Sequence, residues 1–420
     1  MHRFTYTNGR LHCERVPVEE IARKTGTPVY VYSYTTMIDH FRQVRDAFAP
    51  VKGLVCYAMK ANGNLAVLRA LAKAGAGFDV VSGGELRKAL EAGADPRKIV
   101  YASVGKTVAE IEQAVRAGIL FFNVESEQEL EQIHAVCAGL GKKQAVSLRL
   151  NPEVDPHTHA FITTGHKASK FGLELKTVRR LLARHRSFPW LVFGGLHIHI
   201  GSQILEARPF QAAIRKALSV IATARKKGVP IHTLNIGGGL GIVYHNEKPQ
   251  TPQRYAGAVL PLLKRSVSKV ILEPGRYIVG NSGILLTRVL YLKESHGHRF
   301  AIVDAGMNDL IRPSLYGAYH RIQPVIQPRT REKAVRTDVV GPVCESGDFL
   351  AKERPLPPLE SGDLLAVMSA GAYGFVMASN YNARPRPAEV MVRGGEWSVV
   401  RARETFRDLT RGEKIPRFLS

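Results

Sequence analysis

The sequence predicts an α/β fold, a (β/α)8 TIM-like barrel joined to a mostly antiparallel β domain, and two patterns carry that prediction. Between about residues 54 and 276 short β-branched runs alternate with helical stretches, as parallel strands linked by crossover helices do. After Tyr277 the alternation stops, and strand-like runs follow one another with turn signals between them. At 420 residues and 45% hydrophobic content, the chain can bury one large core or two medium ones.

Eight runs read as barrel strands: VCYAMK (55–60), GFDVVS (77–82), IVYAS (99–103), FFNVES (121–126), AVSLRLN (145–151), FGGLHIHI (193–200), HTLNIG (232–237) and KVILE (269–273). Eight is the number that closes such a barrel. Gly84 to Ala92 reads as a helix because Leu86, Ala89 and Leu90 share a face before Gly93 ends the pattern. Val108 to Ala117, Gln128 to Ala138 and Pro209 to Lys227 read the same way. Further on, ILLTRVLYL, RFAIVDAG, DLLAVM, AEVMVR and EWSVVRAR read as strands. The segment up to about Ser33 reads as β structure plus a short helix and is expected to join them. The expected domains are therefore a barrel over 34–276 and a β-sandwich-like or β-barrel domain from 1–33 with 277–420.

Lys and Arg number 59 against 36 Asp and Glu, a net charge of +23. The excess is spread over short groups, Lys142-Lys143, Arg179-Arg180, Arg225-Lys226-Lys227 and Arg329 to Lys333, with no recognition helix or aromatic-basic motif. A solvated basic surface is expected, and no nucleic-acid partner. The 4 cysteines, Cys13, Cys56, Cys137 and Cys344, lack the short spacings of zinc or disulfide frameworks, so reduced thiols in a cytoplasm are expected. The N-terminus has no apolar h-region, and no run approaches the roughly 20 apolar residues that span a bilayer, so no membrane partner is expected.

Active sites of such barrels lie at the C-terminal ends of the strands. Collected there are Lys60, Ser82-Gly83-Gly84-Glu85, Asn123 with Glu125, Arg149 with Asn151, His197, His199, Gly201 and Ser202, Gly237, Gly238 and Gly239, and Glu273-Pro274-Gly275-Arg276. Lys60 ends an apolar run, where burial frees an amine for Schiff-base chemistry. A lone lysine there is more often an ion pair, but the surrounding YAMKANGN favours the chemical role. The glycines at 237–239 let backbone amides approach a phosphate. They are no dinucleotide fingerprint, since position 242 is Ile. Gly105-Lys106-Thr107 resembles the end of a P-loop, yet the earlier glycine is Val100, which excludes that nucleotide site. Glu273 could hold a heteroaromatic nitrogen protonated and deepen an electron sink. A surface turn with an ion pair to Arg276 reads equally well. His199 reads either as a core histidine or as a flat ring stacked on a planar cofactor.

YAMKAN, FDVVSGGEL, HIHIGSQ, GGGLG and EPGR, in this order and along nearly the whole chain, resemble the barrel-type (fold type III) pyridoxal-phosphate decarboxylases, a family that includes ornithine and diaminopimelate decarboxylases. The resemblance implies pyridoxal 5′-phosphate as cofactor, with Lys60 bonded to it, His199 stacked on its ring, Arg149 behind the ring and Glu273 paired with the ring nitrogen. Ser202, Gly237, Gly238, Gly239, Pro274, Gly275 and Arg276 would surround the phosphate and the substrate carboxylate, joined by Tyr373 of GAYG.

Three more segments resemble the diaminopimelate branch: DPHTHAFITTGHKASKFG (155–172), DAGMNDLIRPSLYGAYH (304–320) and GPVCESGD (341–348). By that resemblance Arg312 and Tyr316 would hold the distal end of the substrate, Glu345 its distal amine, and Cys344 would protonate the carbanion. Cys344 and Glu345 would come from a second subunit, which implies a homodimer with composite sites. The implied reaction is decarboxylation of meso-2,6-diaminopimelate to L-lysine and CO₂, without a metal. The residue chemistry agrees, because a substrate with two amines and two carboxylates needs both a cation and an anion at its far end. Cys344 lies in a polar segment, whereas the other cysteines sit in apolar or helical runs and read as structural. The alternatives are a sibling enzyme acting on carboxynorspermidine, ornithine or a carrier-linked amino acid, and a non-catalytic cofactor-binding barrel; a racemase on the same barrel would need a different two-base arrangement. The Arg312 and Cys344 segments speak against the first, and the domain after residue 277 against the second.

Overall fold

In the computed structural model, which describes residues 2–155, 169–264, 266–328 and 333–419, the chain divides into two units: Met37–Val279, and Met1–Thr36 with Gly280–Ser420. Positions 156–168 of the segment 155–172, and 329–332 of the basic run, lie outside the described residues.

The first unit is a closed barrel of eight parallel strands: β1 (Leu54–Ala58), β2 (Gly77–Val80), β3 (Ile99–Tyr101), β4 (Phe121–Val124), β5 (Gln144–Arg149), β6 (Leu191–His197), β7 (Thr233–Asn235) and β8 (Lys269–Leu272). β8 closes on β1 with Ile271 opposite Leu54. Every predicted strand is present, but each leaves the ladder one to three residues before its run of strand-like residues ends. The polar residues that end the runs therefore lie just past the sheet, where the backbone turns. Lys60 shows this directly, sitting on the single 3-10 turn Met59–Ala61 that follows β1.

Cys56, Val100, Phe121 and Ile271, from four different strands, form a buried apolar cluster in the barrel. Side-chain caps start the helices that follow the strands. Ser82 accepts from the Glu85 amide, Thr107 makes a reciprocal capping box with Glu110, and Ser126 accepts from the Glu129 amide. The capped helices, Gly83–Glu91, Val108–Ala117 and Glu127–Leu140, pin the turns at the barrel mouth.

The second unit is built around a nine-stranded sheet. At its centre the N-terminal strand Val29–Ser33 lies between Gly283–Ser295, antiparallel, and Ala388–Arg393, parallel. Alternation along VYVYS sends Val29 and Val31 into an apolar cluster with Ile284, Leu286, Val390 and Val392. Tyr30 and Tyr32 take the other face, donating to the Asp309 carbonyl and to Glu389 Oε1, both at 2.7 Å. Three strands had no sequence signal: Ile322–Pro324, Val335–Val340 and Phe349–Leu356. The first is short, the second carries charge (RTDVV) and the third charge and proline (KERPL), so propensity is overridden by pairing. Val335–Val340 pairs in parallel with His298–Val303, which makes the sheet mixed.

Asp309 is 1% exposed in this unit, and its Oδ2 accepts the Gly306 amide at 2.9 Å. Burial pushes its carboxyl up to about 7, with the Gly306 amide and Arg384 pulling the other way. The folded protein thus holds this proton more tightly than the unfolded chain, whose aspartates titrate near ~3.9. Between about pH 4 and 7 the unfolded state loses the proton first, so this group makes stability fall as pH rises. Urea unfolding of wild type and Asp309→Asn at pH 5 and pH 8 should show a smaller fall for the variant. Equal falls would mean that Asp309 titrates normally.

Candidate active site

At the mouth of the barrel, Lys60 Nζ donates to Asp79 Oδ2 at 2.9 Å, with the lysine side chain 39% exposed and the aspartate fully buried. Burial pushes the Asp79 carboxyl up to about 6, and Lys60 pulls it back. Sequence reading missed Asp79. Its signal was present, an acid at an inward position of the apolar run GFDVV.

Glu273 follows β8 and is 6% exposed. Its Oε1 accepts from Asn123 Nδ2 (3.0 Å) on β4 and Asn235 Nδ2 (2.6 Å) on β7, and His197 Nε2 on β6 lies 3.1 Å from Oε2. Burial alone would raise this carboxyl, but His197, Lys60 and Asn235 outweigh it and hold the group well below the usual carboxylate range. The residue is a buried anion at the strand ends, not part of a surface turn. Asn235, also missed, was marked only by a polar residue inside the apolar LNIG.

His199 is held as a neutral ring: burial first, then the charges of Arg149 and Lys60, depress its pKa far below the ordinary value. Its Nδ1 accepts the Gly238 amide at 3.2 Å. Arg149, at the end of β5, pairs with Glu125 at 2.5 Å, and the other oxygen of Glu125 accepts the Gly172 amide at 2.8 Å. Arg276 is buried at the start of the short helix Arg276–Val279; it donates to Ser202 Oγ at 3.2 Å and to the Tyr244 hydroxyl at 2.7 Å. Tyr244 carried no sequence signal.

The glycine run threads between strand ends that leave no room for a side chain. A Cβ on Gly238 would lie 2.2 Å from the Glu273 carbonyl oxygen, and one on Gly237 2.6 Å from that of Ile198. Gly275 abuts Ala58 and Ala61 in the same way, while the Pro274 carbonyl accepts the Ala58 amide at 3.2 Å. The structure thus gathers Lys60, Arg149, His199, Ser202, Gly237 to Gly239 and Glu273 to Arg276 at one end of the barrel.

The other predicted residues belong to the β unit. Arg312 is buried at the head of the helix Arg312–Tyr316, its guanidinium 6.0 Å from the Tyr316 ring centre. Cys344 is exposed, with its amide donating to Asn382 Oδ1 at 2.7 Å, and Glu345 Oε2 accepts from the Tyr381 hydroxyl at 3.4 Å. Buried Asp348 joins the two loops that carry these residues. Its carboxylate accepts the Met307 and Val343 amides, both at 2.6 Å, and Ser314 Oγ donates to the Gly347 carbonyl at 2.6 Å. Tyr373 lies on a third loop with φ +57°, a left-handed conformation rarely adopted by a bulky residue. The other three cysteines are buried, and burial pushes the thiol of Cys137 up to about 11.

A barrel with an amine, a buried carboxylate, a neutral ring and a glycine-lined anion cradle at its mouth defines the class. The chain belongs to the pyridoxal-dependent decarboxylases, whose pyridoxal binding domain model matches residues 34–280. Within them it groups with the diaminopimelate decarboxylases. It is 48% identical to that of Pseudomonas aeruginosa over 416 residues, 99% of each chain. Among solved structures, it is similar to the Helicobacter pylori diaminopimelate decarboxylase complexed with L-lysine (TM-score 0.90, 42% identity, 94% of this chain and 98% of that one). It is likewise similar to the M. jannaschii enzyme in complex with L-lysine (TM-score 0.94, 37% identity, 99% of both chains). No helix among the described residues is long and apolar enough to cross a membrane.

The residues present fit the family's cofactor, pyridoxal 5′-phosphate. Lys60 supplies the amine, and Arg276, Ser202 and the glycine amides supply donors for a phosphate. Among the described residues, the buried atoms Asp79 Oδ1, Asn123 Oδ1 and His197 Nδ1 have no hydrogen-bond partner. Gly238→Ala should lower cofactor retention at least tenfold, because the added methyl meets backbone that cannot move aside. Dialysis followed by absorbance of the bound cofactor checks this, and wild-type retention would show that the cradle lies elsewhere.

Proposed function

We propose that this chain is a cytoplasmic decarboxylase converting meso-2,6-diaminopimelate to L-lysine and CO₂, the last step of lysine biosynthesis. The observation that carries the reading is the barrel mouth, where the Lys60 amine, the buried Glu273 carboxylate and the Arg276–Ser202 pair beside the glycine run meet. The full-length likeness to diaminopimelate decarboxylases supports the choice of substrate.

In this reading Lys60 holds the cofactor through its amine, and Ser202, Gly237 to Gly239, Pro274, Gly275, Arg276 and Tyr373 surround its phosphate. When bound, the cofactor supplies a protonated heteroaromatic ring that takes up the electron pair left by departing CO₂. Glu273, kept ionised by its buried donors, holds the proton at the ring nitrogen. His199 would offer its flat neutral ring to the cofactor, and Arg149, paired with Glu125, would help to hold it. Arg276 and Tyr373 orient the carboxylate that leaves, while Arg312 and Tyr316 take the distal carboxylate and Glu345 the distal ammonium. Such paired recognition disfavours substrates that lack either distal group, because the matching charge would gain no partner from them. The Cys344 thiol gives its proton to the carbon that lost CO₂ and is reprotonated from solvent. Cys344 and Glu345 act in the barrel of a partner copy, so the working form is a homodimer with two composite sites.

CO₂ release from meso-diaminopimelate, LL-diaminopimelate and ornithine tests the reaction. Turnover should be confined to the meso isomer, and preferential turnover of ornithine would overturn the substrate assignment. Borohydride reduction should fix the cofactor on Lys60; a modified Lys106 or Lys170 would overturn the placement of the site.

Mixing subunits tests the composite arrangement. Lys60→Ala and Cys344→Ala should each be nearly inactive alone. After subunit exchange about half the dimers are hybrids with one intact site of two, so activity should return to about a quarter of wild type. Parental activity despite exchange proven by a tag would mean that Cys344 acts in its own subunit, or has no catalytic role.

A further inference from the structure

Lys106, the residue that gives GKT its likeness to a nucleotide loop, has a buried side chain, 0% exposed, facing Glu129 at 7%. Its ammonium spends its three donors on the Glu129 carboxylate (2.6 Å) and on the carbonyls of Ser103 (2.8 Å) and Asn123 (3.0 Å). The second oxygen of Glu129 accepts the Glu125 amide at 2.9 Å. The pair therefore grips the backbone of β4 on both sides of Val124, where the strand leaves the sheet. On the β3 side the ladder already stops at Tyr101 opposite Phe122, so beyond that point the ion pair does what a neighbouring strand would do. Ser103, one of its carbonyl partners, has φ +122°, outside the range ordinary for a side-chain-bearing residue.

What the grip holds is functional. Residues 123 and 125 share a face of the strand, being two apart. Asn123 donates to Glu273, and Glu125 pairs with Arg149. A buried ion pair is a poor source of stability, because desolvating two charges offsets most of their attraction, and an apolar pair of similar volume often serves as well. A geometric role accounts for its presence here.

We infer that Lys106 and Glu129 are positioning residues for the reaction, setting through the backbone of residues 123–125 the groups that hold Glu273 and Arg149. The inference rests on the proposed reading of the site, in which Glu273 acts on the cofactor ring. The hydrogen bonds of the pair go to each other and to backbone.

The double variant Lys106→Met/Glu129→Leu removes both buried charges together, so neither is left unpaired. It should unfold within a few degrees of wild type in calorimetry and bind cofactor with unchanged stoichiometry. Its kcat should nevertheless fall ten- to hundredfold with KM within about twofold, and the pH titration of the bound cofactor's absorbance band should shift. Wild-type kcat and an unshifted titration in the folded double variant would overturn the inference. Glu273→Gln, measured alongside, separates the two ideas. If it keeps wild-type turnover, the reading of the site fails and the inference with it; if it loses turnover while the double variant does not, the inference alone fails. Should the double variant not fold, Glu129→Gln keeps an acceptor for the Glu125 amide while releasing the charge on Lys106. A severalfold loss of kcat at unchanged KM supports positioning in that case, and unchanged kcat overturns it.

Discussion

Glu273 stays ionised at 6% exposure because three strands each bring one donor to it: Asn123 from β4, His197 from β6 and Asn235 from β7. Uncompensated, a buried carboxylate costs several kcal/mol, on the order of a domain's whole net stability. The register of those strands is therefore not free, since a slip of one residue would turn each donor to the opposite face of the sheet. The same constraint reaches the glycine run, which has to pass within contact of the Glu273 carbonyl and so admits no side chain at Gly238. The glycine run and the buried carboxylate beside it are thus consequences of one packing problem.

The barrel was legible because each strand announces itself with a β-branched run and each following helix with a cap. The residues at the strand ends were legible as a set because a barrel has one active face. Asp79 and Asn235 escaped notice for a common reason: each is a single polar residue in an apolar neighbourhood, and sequence does not say which strands bring it a partner; Tyr244, beside the polar HNEK, is hidden in a loop. Lys106 was visible but only as a negative, a phosphate-loop lysine without its loop, and its contacts depend on β3 ending early. In the β unit, Val335–Val340 and Phe349–Leu356 were missed because charge and proline mask strands that pairing alone imposes. The even balance over Glu273, surface ion pair or buried anion, could be tipped only by burial, which the tetrapeptide EPGR does not encode.

The surplus positive charge is partly accounted for by local duties. Arg180 and Arg184 share Glu127, and Arg225 donates to the carbonyls of Ile231 and Ser266, closing the ends of the helix Arg208–Lys226 and its neighbour. Arginine suits these tasks because its fork can reach two acceptors at once. Surface pairs of this kind add little stability, roughly 0–1 kcal/mol each.

The sheet of the second unit interleaves the two ends of the chain, with Val29–Ser33 placed between strands that begin at Gly283 and Ala388. On a ribosome that arrangement imposes a wait. At roughly 5–20 residues per second, about 20–70 s separate emergence of VYVYS from that of its parallel partner. During that time the barrel can close, since its strands are contiguous, but the N-terminal strand has an apolar face and at least one bare edge. Such a strand invites pairing with other nascent chains. Yield of the protein should therefore be governed less by the stability of the finished fold than by how this short N-terminal strand is sheltered during synthesis, by a chaperone or by the emerging barrel itself.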